Sequence, residues 1–547
     1  MSAELQVPVL VVGGGLTGLA AALFLARQGV KPLVVERHTG LSPHPRARGI
    51  HPRAMELVRS AGLEDAVRST GSARALVHNT GVLAAETLAG KQLGALHEKY
   101  FMDVRTELSA LSPTGWCLCH QDEFEPVLHE AAAQAGADFR FGTELLSFEQ
   151  DQDGVTAVLG DREGGNRQSV RASYLLAADG PGSPVRERLG IPFEGEEGLG
   201  HFLNVHFRAD LAEVLGDRRF IMCYTFNSEV RGALMPLDNA SRWLLHVVLQ
   251  PDENLGDYTD ERCARLVRAA AGVPDLDVEI VGTAPWTASA KTAGGFQQGR
   301  VFLLGDAAHI MPPSGAFGSN TGLQDAHNLA WKLAAVLRGE AGPALLDSYD
   351  AERRPVSAAT VEQAALRSKD RPRLAQQEPA PALPGIVDDI RIWFGWHYRS
   401  AAVLPDADAV GQDPADPTDP SAVWADDPSG QPGTRAPHVA LRRDGNELST
   451  LDLYGKAFVL LTGPEAGQWP EAARTAADAL GVPVEVHAVG TGAALLDPED
   501  RWAKAHGVTP AGAVLVRPDG VVAWRSADSR SDAPQAVRTA LAHVLSR

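Results

Sequence analysis

A glycine-rich segment near the N-terminus has the residue types and spacing needed to bind a cofactor that contains a pyrophosphate. Residues Gly13–Gly18 read Gly-Gly-Gly-Leu-Thr-Gly and lie between a β-branched apolar run and an apolar helical pattern. In this pattern the first glycine permits a sharp turn, the second lets the backbone approach a pyrophosphate, and the third lets the helix pack on the sheet. The segment predicts a strand, a turn and a helix that bind a dinucleotide; a glycine-rich turn without a ligand is the alternative.

An acidic residue follows at the distance expected for a ribose contact. Glu36 ends the apolar run Leu33–Glu36, roughly 20 residues beyond the glycines, where a dinucleotide site places the acid that binds a ribose hydroxyl. Further along, Arg46 and Arg48 lie in a loop rich in Pro and Arg, and Gln121 lies at a predicted strand-to-helix turn. The two arginines are candidates for phosphate contacts, and a solvated basic loop is the equal alternative.

Two later segments return to the parallel-sheet pattern of the N-terminus. Asp179 and Gly180 end a buried strand and precede a new helix, so Asp179 is interpreted as a cofactor-side residue or as a turn former. Gly305 and Asp306 also follow an apolar strand, and the glycine-rich stretch 315–322 precedes an amphipathic helix that ends near Gly339. Backbone amides in that stretch can crowd around a ligand at the positive end of the helix.

The region from about 191 to 290 has a different pattern, typical of antiparallel strands with one buried face. Such a sheet can form the floor of a pocket against the dinucleotide domain. The expected apolar and aromatic lining of this pocket consists of Met222, Tyr224, Phe226, Met235 and Trp243. Ordinary core packing is the alternative for most of these residues.

Length and composition exclude several classes of protein. A chain of 547 residues with 44% apolar and 22% charged residues is expected to form more than one globular domain. A net charge of −19 argues against nucleic acid or an anionic membrane as partner. The sequence shows no signal peptide or membrane-spanning run, so a cytoplasmic location is expected. Four cysteines give no disulfide framework, and Cys117 and Cys119 lack further ligands at metal spacing, so no metal site is predicted.

Three motifs in this order resemble the single-component FAD-dependent aromatic hydroxylases, the class A family of p-hydroxybenzoate and phenol hydroxylases. They are the Gly13–Gly18 segment with Glu36, Asp179-Gly180 with its following helix, and Gly305-Asp306 with the two prolines at 312 and 313. The resemblance covers about residues 5 to 400. The remaining sequence looks like the thioredoxin-like extension of the branch that tailors aromatic polyketides.

The resemblance implies an α/β fold with three parts. A Rossmann-like FAD-binding domain comprises residues 1–75, 110–190 and 290–400, and a substrate domain with an antiparallel sheet comprises 76–109 and 191–289. An Asp- and Pro-rich linker at 401–435 leads to a thioredoxin-like domain at 436–547, which contains no cysteine. Thiol redox chemistry is therefore excluded for this last domain, and packing on the catalytic body or a dimer contact is expected; monomer and homodimer both stay open.

The resemblance also implies the site residues. The cofactor-binding residues would be Gly13, Gly15, Leu16, Thr17, Gly18, Glu36, Arg37, Arg46, Gln121, Leu145, Asp179, Gly305, Asp306, Pro313, Gly318, Asn320 and Thr321. Tyr224 would polarise or deprotonate a phenol, with core tyrosine as the equal alternative. Arg371 is a second catalytic candidate, and a surface arginine is the competing interpretation.

The implied activity is hydroxylation of an aromatic polyketide, a polycyclic phenol, in antibiotic biosynthesis. NADPH would reduce FAD, and O2 would form a flavin C4a-hydroperoxide that transfers oxygen to the ring. Two alternatives remain at this stage: a flavin monooxygenase that inactivates an antibiotic, and a flavin- or pigment-binding protein without turnover. A flavin halogenase is disfavoured because its Trp-x-Trp-x-Ile-Pro segment does not occur in the sequence.

Overall fold

The structure is a computed structural model that describes residues 5–96, 108–162, 165–250, 253–370, 383–406, 423–425 and 430–547. These residues form two large mixed sheets, a smaller four-stranded sheet and the helices packed on them. Within these ranges, no helix has both the length and the apolar character needed to cross a membrane.

The first sheet is built around the N-terminal strand Leu5–Val12. This strand pairs in parallel with Leu33–Glu36 on one side and Arg167–Ala177 on the other, and Val9, Leu10 and Val11 are fully buried because helices cover both faces. Across the sheet the strands run in the order Gln297–Gln298, Val301–Leu303, Arg167–Ala177, Leu5–Val12, Leu33–Glu36 and Asp138–Phe141, with Val155–Asp161 and Thr143–Gln150 added antiparallel beside Arg167–Ala177.

Helix Leu16–Arg27 begins directly after the glycine-rich turn and packs between helices Gln121–Gln134 and Gly318–Leu337. All but two residues of Leu16–Arg27 are buried, which explains its apolar sequence. The other helices of this part are Pro52–Ser60, Glu64–Arg68, Gly71–Ala75, Pro184–Arg188, Asp347–Asp370 and Asp389–Phe394, with short 3-10 turns at Gly305–Ala307 and Pro343–Leu346.

The second sheet packs against an apolar core on one face and borders a cavity on the other. Its strands run in the order His309–Ile310, Glu279–Ala293, Phe193–Arg208, Arg242–Leu249, Arg231–Pro236, Met222–Phe226, Val82–Ala85 and Gln92–Leu96. One face packs into an apolar core with helix Asp260–Ala271; Ala212–Leu215 and the turn Leu255–Asp257 lie in the same region. The opposite face borders a large cavity.

The C-terminal part has its own four-stranded sheet, in the order Val484–Ala488, Phe458–Thr462, Ala513–Val516 and Val522–Ser526. A hairpin of Ala440–Arg443 and Asn446–Ser449 precedes it with the turn Thr450–Leu453, and the helices are Trp469–Leu480, Trp502–His506 and Ala533–Val544. With the two sheets above, this arrangement confirms the predicted α/β class with its antiparallel-sheet and thioredoxin-like parts.

Buried charges join the C-terminal part to the helices of the first part. Arg517 donates to both carboxylate oxygens of Glu352 at 2.6 and 2.9 Å, and Lys332 donates to the same carboxylate at 2.8 Å. All three side chains are fully buried. Trp331 adds an edge-to-face contact with Phe458, with 5.7 Å between ring centroids. The C-terminal part therefore packs on helix Gly318–Leu337, which begins in the glycine-rich stretch 315–322, and on helix Asp347–Asp370.

One local expectation differs from the structure, and the predicted linker has defined contacts. The predicted strand Trp116–His120 is wrong: its backbone pairs only at Cys117, in an isolated bridge with Ile50, so no ladder forms. The described stretches of the predicted linker 401–435 have little regular structure, and they contact the rest of the protein. Trp424 bridges to Trp396, and Arg435 is buried, where it donates to Glu56 at 2.9 Å.

Candidate active site

A cavity of about 1130 Å³ lies between the glycine-rich motifs of the first sheet and the open face of the second. The motif side contributes Gly15, Leu16, Thr17, Asp306, Pro312, Pro313, Gly318 and Ser319. The second sheet contributes Val82, Asn204, Met222, Tyr224, Met235, His246, Ala284 and Trp286. One continuous space thus joins the predicted cofactor motifs to a mixed apolar and polar wall.

Gly13, Gly15 and Gly18 of the first motif are glycines for different structural reasons. Gly13 has φ +106°, and a Cβ there would lie 2.2 Å from the Ala178 carbonyl oxygen. A Cβ on Gly18 would lie 1.9 Å from the Gly13 carbonyl oxygen, so these two glycines are required by packing. A Cβ on Gly15 would meet no protein atom closer than 3.9 Å, although Gly15 lines the cavity. The bare backbone at Gly15 therefore leaves room for a ligand.

Two helix N-termini are available to a ligand in the cavity. Helix Leu16–Arg27 begins after Gly15 and helix Gly318–Leu337 begins after Phe317, and neither has a side-chain cap or an acid in its first turn. The first amides of a helix have no intrahelical acceptor, and the helix dipole makes this end positive. The cavity therefore offers amide donors and positive potential at two places.

Asp306 places a carboxylate at the cavity. The side chain is accessible from the cavity. The protein around it removes water from the carboxylate, and this desolvation raises its pKa. The preceding residue, Gly305, has φ +57°, and a Cβ there would lie 2.4 Å from Thr17 Oγ1. A glycine is therefore needed where the Gly305 turn packs on Thr17.

Behind this turn, Asp325 forms a fully buried cluster. Its carboxylate accepts from the Gly305 amide at 3.1 Å, from His309 Nε2 at 2.7 Å and from Arg353 Nε at 2.8 Å. Burial alone would raise the pKa of Asp325, but His309 and the Arg353 charge hold it below its ordinary value. The cluster fixes the Asp306 turn and the start of helix Gly318–Leu337 relative to each other.

Gln121 connects the Pro- and Arg-rich loop to a buried acid. Its amide nitrogen donates to Glu125 Oε1 at 2.7 Å and its oxygen accepts from the Ala47 amide at 3.3 Å. The other Glu125 oxygen accepts from the Ser42 amide at 3.1 Å. These bonds position the loop so that Gln121 and the exposed Arg46 line the cavity.

Arg48 is bound to the second sheet, so it is neither a solvated loop residue nor a residue bound to the glycine-rich motifs. Its guanidinium donates to the carbonyl of Ile221, just before strand Met222–Phe226, at 3.3 Å, and also to the carbonyl of Pro236, the last residue of strand Arg231–Pro236. Burial lowers its pKa to about 10. Arg48 therefore connects the loop to the second sheet at the boundary between the two halves of the cavity.

The cavity face of the second sheet carries polar side chains in one row. In the strand register, Tyr224 pairs with Ala233, Ala233 with His246, His246 with Asn204, and Asn204 with Ala284. The alternate residues on the same strands face the apolar core. Met222, Tyr224 and Met235 line the cavity as predicted, whereas Phe226 lies outside the lining. The predicted Trp243 faces the opposite core because it lies one residue out of phase.

Helix Asp389–Phe394 and the residues before it close one side of the cavity. Val387, Ile390 and Trp393 line it, and Arg367 from helix Asp347–Asp370 pairs with Asp389 at 2.5 Å. Arg367 also donates to the Val387 carbonyl at 2.6 Å. The segment is thereby tied down over the space next to the second sheet.

The predicted site residues fall into three groups. Those that line the cavity are Gly15, Leu16, Thr17, Arg46, Gln121, Tyr224, Asp306, Pro313 and Gly318. Those that lie outside the lining are Gly13, Gly18, Glu36, Arg37, Leu145, Asp179, Gly305, Asn320 and Thr321. Arg371 lies outside the described residues, so its predicted catalytic role stays a prediction.

Several residues of the second group have defined local partners. Glu36 accepts from the Gly14 amide at 2.7 Å, and Asp179 accepts from the Val185 amide at 3.2 Å. The side-chain amide of Asn320 donates from Nδ2 to the Gly49 carbonyl at 2.9 Å, and the Thr321 hydroxyl donates to the Phe317 carbonyl at 2.9 Å. Leu145 pairs with Leu159 in the first sheet. The predicted cofactor roles of these residues remain predictions.

Sequence reasoning did not identify Glu125, Asp325, Arg353, Asn204 or Trp286 as part of the site. For Asp325 a signal was present, because it lies among the apolar positions of an otherwise buried helix face, where a carboxylate needs a partner. For Asn204 and Trp286 no local signal existed, since the two residues meet only through strand pairing.

Comparison with known proteins places this geometry in a family. Residues 6–364 match the FAD binding domain model, and residues 429–547 match the aromatic-ring hydroxylase C-terminal model. The chain is 50% identical to a Streptomyces halstedii protein assigned as a polyketide hydroxylase, covering 95% of this chain and 93% of the relative. A 4-methyl-5-nitrocatechol 5-monooxygenase of a Burkholderia species is 42% identical over 100% of this chain and 98% of its own.

A solved structure agrees over the whole length. The ternary complex of aklavinone-11 hydroxylase with FAD and aklavinone superposes with a TM-score of 0.89 at 40% identity, covering 100% of both chains. The residues of the present chain fit FAD, because the bare backbone at Gly15 and the two uncapped helix N-termini provide space and donors for a pyrophosphate and an anionic ring. The family predicted from the motifs is thereby confirmed: the chain belongs to the FAD-dependent aromatic-ring monooxygenases, in the branch that contains the polyketide hydroxylases.

Proposed function

We propose that this protein uses NADPH and O2 to hydroxylate a polycyclic aromatic polyketide in antibiotic biosynthesis. The observation that carries the proposal is the single cavity that joins the FAD motifs to the face of the second sheet. That face supplies apolar surface from Met222 and Met235 and polar groups from Tyr224, which is the combination that binds a flat phenol.

FAD would be held by residues of the motif side. The amides after Gly15 would bind the pyrophosphate together with Arg46, and Asp306 would accept from hydroxyls of the ribityl chain. Amides at the start of helix Gly318–Leu337 would face the ring portion and stabilise negative charge there. When bound, FAD supplies the hydride acceptor and the O2 chemistry that amino acid side chains cannot provide.

Tyr224 is proposed to activate the substrate. It lines the cavity from strand Met222–Phe226, opposite the motif side, where its hydroxyl can accept a hydrogen bond from a phenol or, as tyrosinate, take the phenol's proton and become neutral. Either action raises the electron density of the ring that receives oxygen. Arg371, which follows the FAD-binding motifs in the sequence, is a weaker proposed catalytic residue, with a surface arginine as the alternative.

Exclusion of water is a further task of the protein. The Arg367–Asp389 pair and the contact of Arg367 with the Val387 carbonyl hold a segment with apolar side chains over the second-sheet half. A dry site favours transfer of oxygen to the substrate over its loss to solvent. NADPH is proposed as a transient reductant, since the sequence has one dinucleotide fingerprint and the FAD would occupy it.

A smaller substrate is the second candidate. The nitrocatechol monooxygenase is nearly as similar to this chain as the polyketide-related proteins are, and its named substrate has one ring. Inactivation of an antibiotic uses the same chemistry on a finished product, and it therefore remains an alternative purpose. A flavin- or pigment-binding protein without turnover would consume no NADPH in response to a ligand.

The test is ligand-stimulated oxidation of the nicotinamide cofactor by the FAD-loaded protein. NADPH and NADH would be compared in the presence of polycyclic hydroxyquinones, single-ring catechols and no ligand, with H2O2 measured in parallel. Stimulation of NADPH oxidation by the polycyclic compounds with little H2O2 is the expected result. Stimulation only by catechols would support the smaller substrate, and no stimulation by any compound would support the non-catalytic alternative.

A further inference from the structure

The row of polar residues on the second sheet extends beyond Tyr224. Tyr224 and Asn204 lie in the same row but three strands apart, which corresponds to about 14 Å between their backbones. Asn204 lines the cavity and is only half-buried. The row therefore has a second polar position, at a distance from the residue proposed to activate the phenol.

The side-chain amide of Asn204 is held in one orientation. Trp286 Nε1 donates to Asn204 Oδ1 at 2.7 Å. An indole N–H can only donate, so the oxygen of the amide must face Trp286 and the NH2 group must face away from it. The Trp286 ring is itself fixed by stacking on Phe202, with 4.4 Å between centroids and 15° between planes.

This arrangement determines what the cavity side of Asn204 can bind. Because Trp286 occupies the amide oxygen of Asn204, the group that remains available to a ligand is the NH2 donor. A donor held in place selects for an oxygen acceptor on the ligand, such as a quinone carbonyl, and leaves a ligand without that oxygen unable to satisfy it.

We propose that Asn204, oriented by Trp286, is a specificity-determining residue that donates a hydrogen bond from Nδ2 to a carbonyl oxygen of the aromatic substrate. The proposal rests on the proposed function, since it concerns the substrate of the same cavity. It adds that the substrate carries a carbonyl or quinone oxygen on a ring other than the one that Tyr224 contacts, which favours a fused ring system.

The experiment measures binding of two ligands to the FAD-loaded, full-length protein through the change in flavin absorbance. The ligands are 1,8-dihydroxyanthraquinone and 1,8-dihydroxyanthracene, which differ by the two carbonyl groups. The wild-type protein is expected to bind the quinone at least tenfold more tightly. The variants are Asn204→Leu, which removes the donor at similar size, and Trp286→Phe, which keeps the stacked ring but removes the indole N–H.

Asn204→Leu is expected to bind both ligands with similar affinity, because the quinone loses its donor while the anthracene loses nothing. Trp286→Phe is expected to lose part of the preference, a few-fold, because the amide is free to rotate. Flavin content and thermal unfolding of each variant are compared with wild type to show that the fold is retained.

The results separate this inference from the proposed function. A wild-type preference for the quinone that persists unchanged in Asn204→Leu would overturn the role of Asn204 while leaving polycyclic binding intact. Failure of the wild-type protein to bind either ligand, with catechols binding instead, would overturn the polycyclic substrate and this inference with it.

Discussion

The two halves of the cavity are built in different ways. On the motif side, backbone amides and glycines from a few contiguous segments form the wall, and Gly13 and Gly18 are required because any larger residue would overlap a backbone carbonyl. On the second-sheet side, the wall consists of side chains from strands far apart in sequence, such as Asn204 and Trp286. The first half tolerates little change in shape, whereas the second can change its chemistry one side chain at a time.

The difference suggests a division of work. We propose that a cofactor common to the family is bound by geometry that the fold imposes, and that the substrate is bound by replaceable side chains on a rigid sheet. Substitutions in the two halves are therefore expected to have separable effects: those on the motif side change folding and FAD binding, and those on the second sheet change substrate binding.

The largest effect is expected for Arg353→Met, which leaves the buried carboxylate of Asp325 without its guanidinium partner. Removing one member of a buried pair costs about 3–5 kcal/mol of unfolding free energy, and the Gly305 turn depends on the same carboxylate. Denaturant unfolding measures the loss. The matched control is Arg354→Met, which breaks a half-exposed pair with Asp350 and is expected to cost about 0–1 kcal/mol. Equal losses for the two variants would contradict the structural role of the cluster.

Tyr224→Phe tests the second-sheet half alone. Loss of the hydroxyl is expected to lower turnover about 100-fold by removing the group that polarises the phenol. FAD affinity and unfolding free energy should stay at wild-type values, because Tyr224 lies on the wall opposite the motif side. Steady-state kinetics with the ligand that stimulates NADPH oxidation, together with a flavin titration, provide the comparison. A variant with undiminished turnover would assign Tyr224 to the cavity wall only.

Gly15→Ala tests the motif half alone. The added methyl group has space in the protein, since its nearest neighbour would be Glu125 Oε1 at 3.9 Å, but it would occupy the place proposed for the pyrophosphate. FAD affinity is expected to fall about tenfold or more, equivalent to about 1.4 kcal/mol, while the apoprotein unfolds as wild type does. Isothermal titration of the apoprotein with FAD measures this. Unchanged FAD affinity would argue against a pyrophosphate at Gly15.

The most gradual effect concerns pH. His51 caps helix Pro52–Ser60 by accepting from the Ala54 amide, and burial lowers its pKa from 6.5 to about 3. As pH falls, the His51 imidazole therefore takes up a proton at a higher pH in the unfolded chain than in the folded protein. The stability contributed by neutral His51 is present above pH 6.5 and is lost as pH falls towards 3.

His51→Asn keeps an acceptor at the cap but cannot titrate. The fall in unfolding free energy between pH 6 and 4 should be less steep in the variant than in wild type by about 1.4 kcal/mol per pH unit. Denaturant unfolding at pH 6, 5 and 4 gives both slopes. Parallel slopes would show that His51 is not held neutral in the folded protein.

The same comparison explains what the sequence predicts well. Local patterns predict Gly13–Gly18, Gly305-Asp306 and the helix after them, because a turn that needs positive φ or close packing constrains residue type within a few positions. The two packed sheets follow from the change of hydrophobic period along the chain. The sequence therefore predicts the fold and the motif half of the cavity.

The cavity-lining residues of the second sheet are harder to predict from the sequence, because the strand register decides which face of the sheet each side chain occupies. Trp243 was expected to line the cavity but faces the core, because a shift of one residue moves a side chain to the other face of a strand. The Asn204–Trp286 bond joins residues 82 apart in sequence, and neither residue type indicates the other. Trp116–His120 is apolar like a strand, yet it pairs only at Cys117, since pairing depends on the tertiary neighbour.

The central claim, hydroxylation of a polycyclic phenol in a cavity shared by FAD and substrate, is tested most directly by oxygen labelling. Purified protein with FAD and NADPH would be incubated under 18O2 with a panel of polycyclic phenols, and product masses would be read. The account predicts a product that contains one labelled oxygen atom, formed by wild type and strongly reduced in Tyr224→Phe. Binding of FAD without label in any polycyclic product, while a single-ring catechol is labelled or NADPH is not consumed, would contradict it.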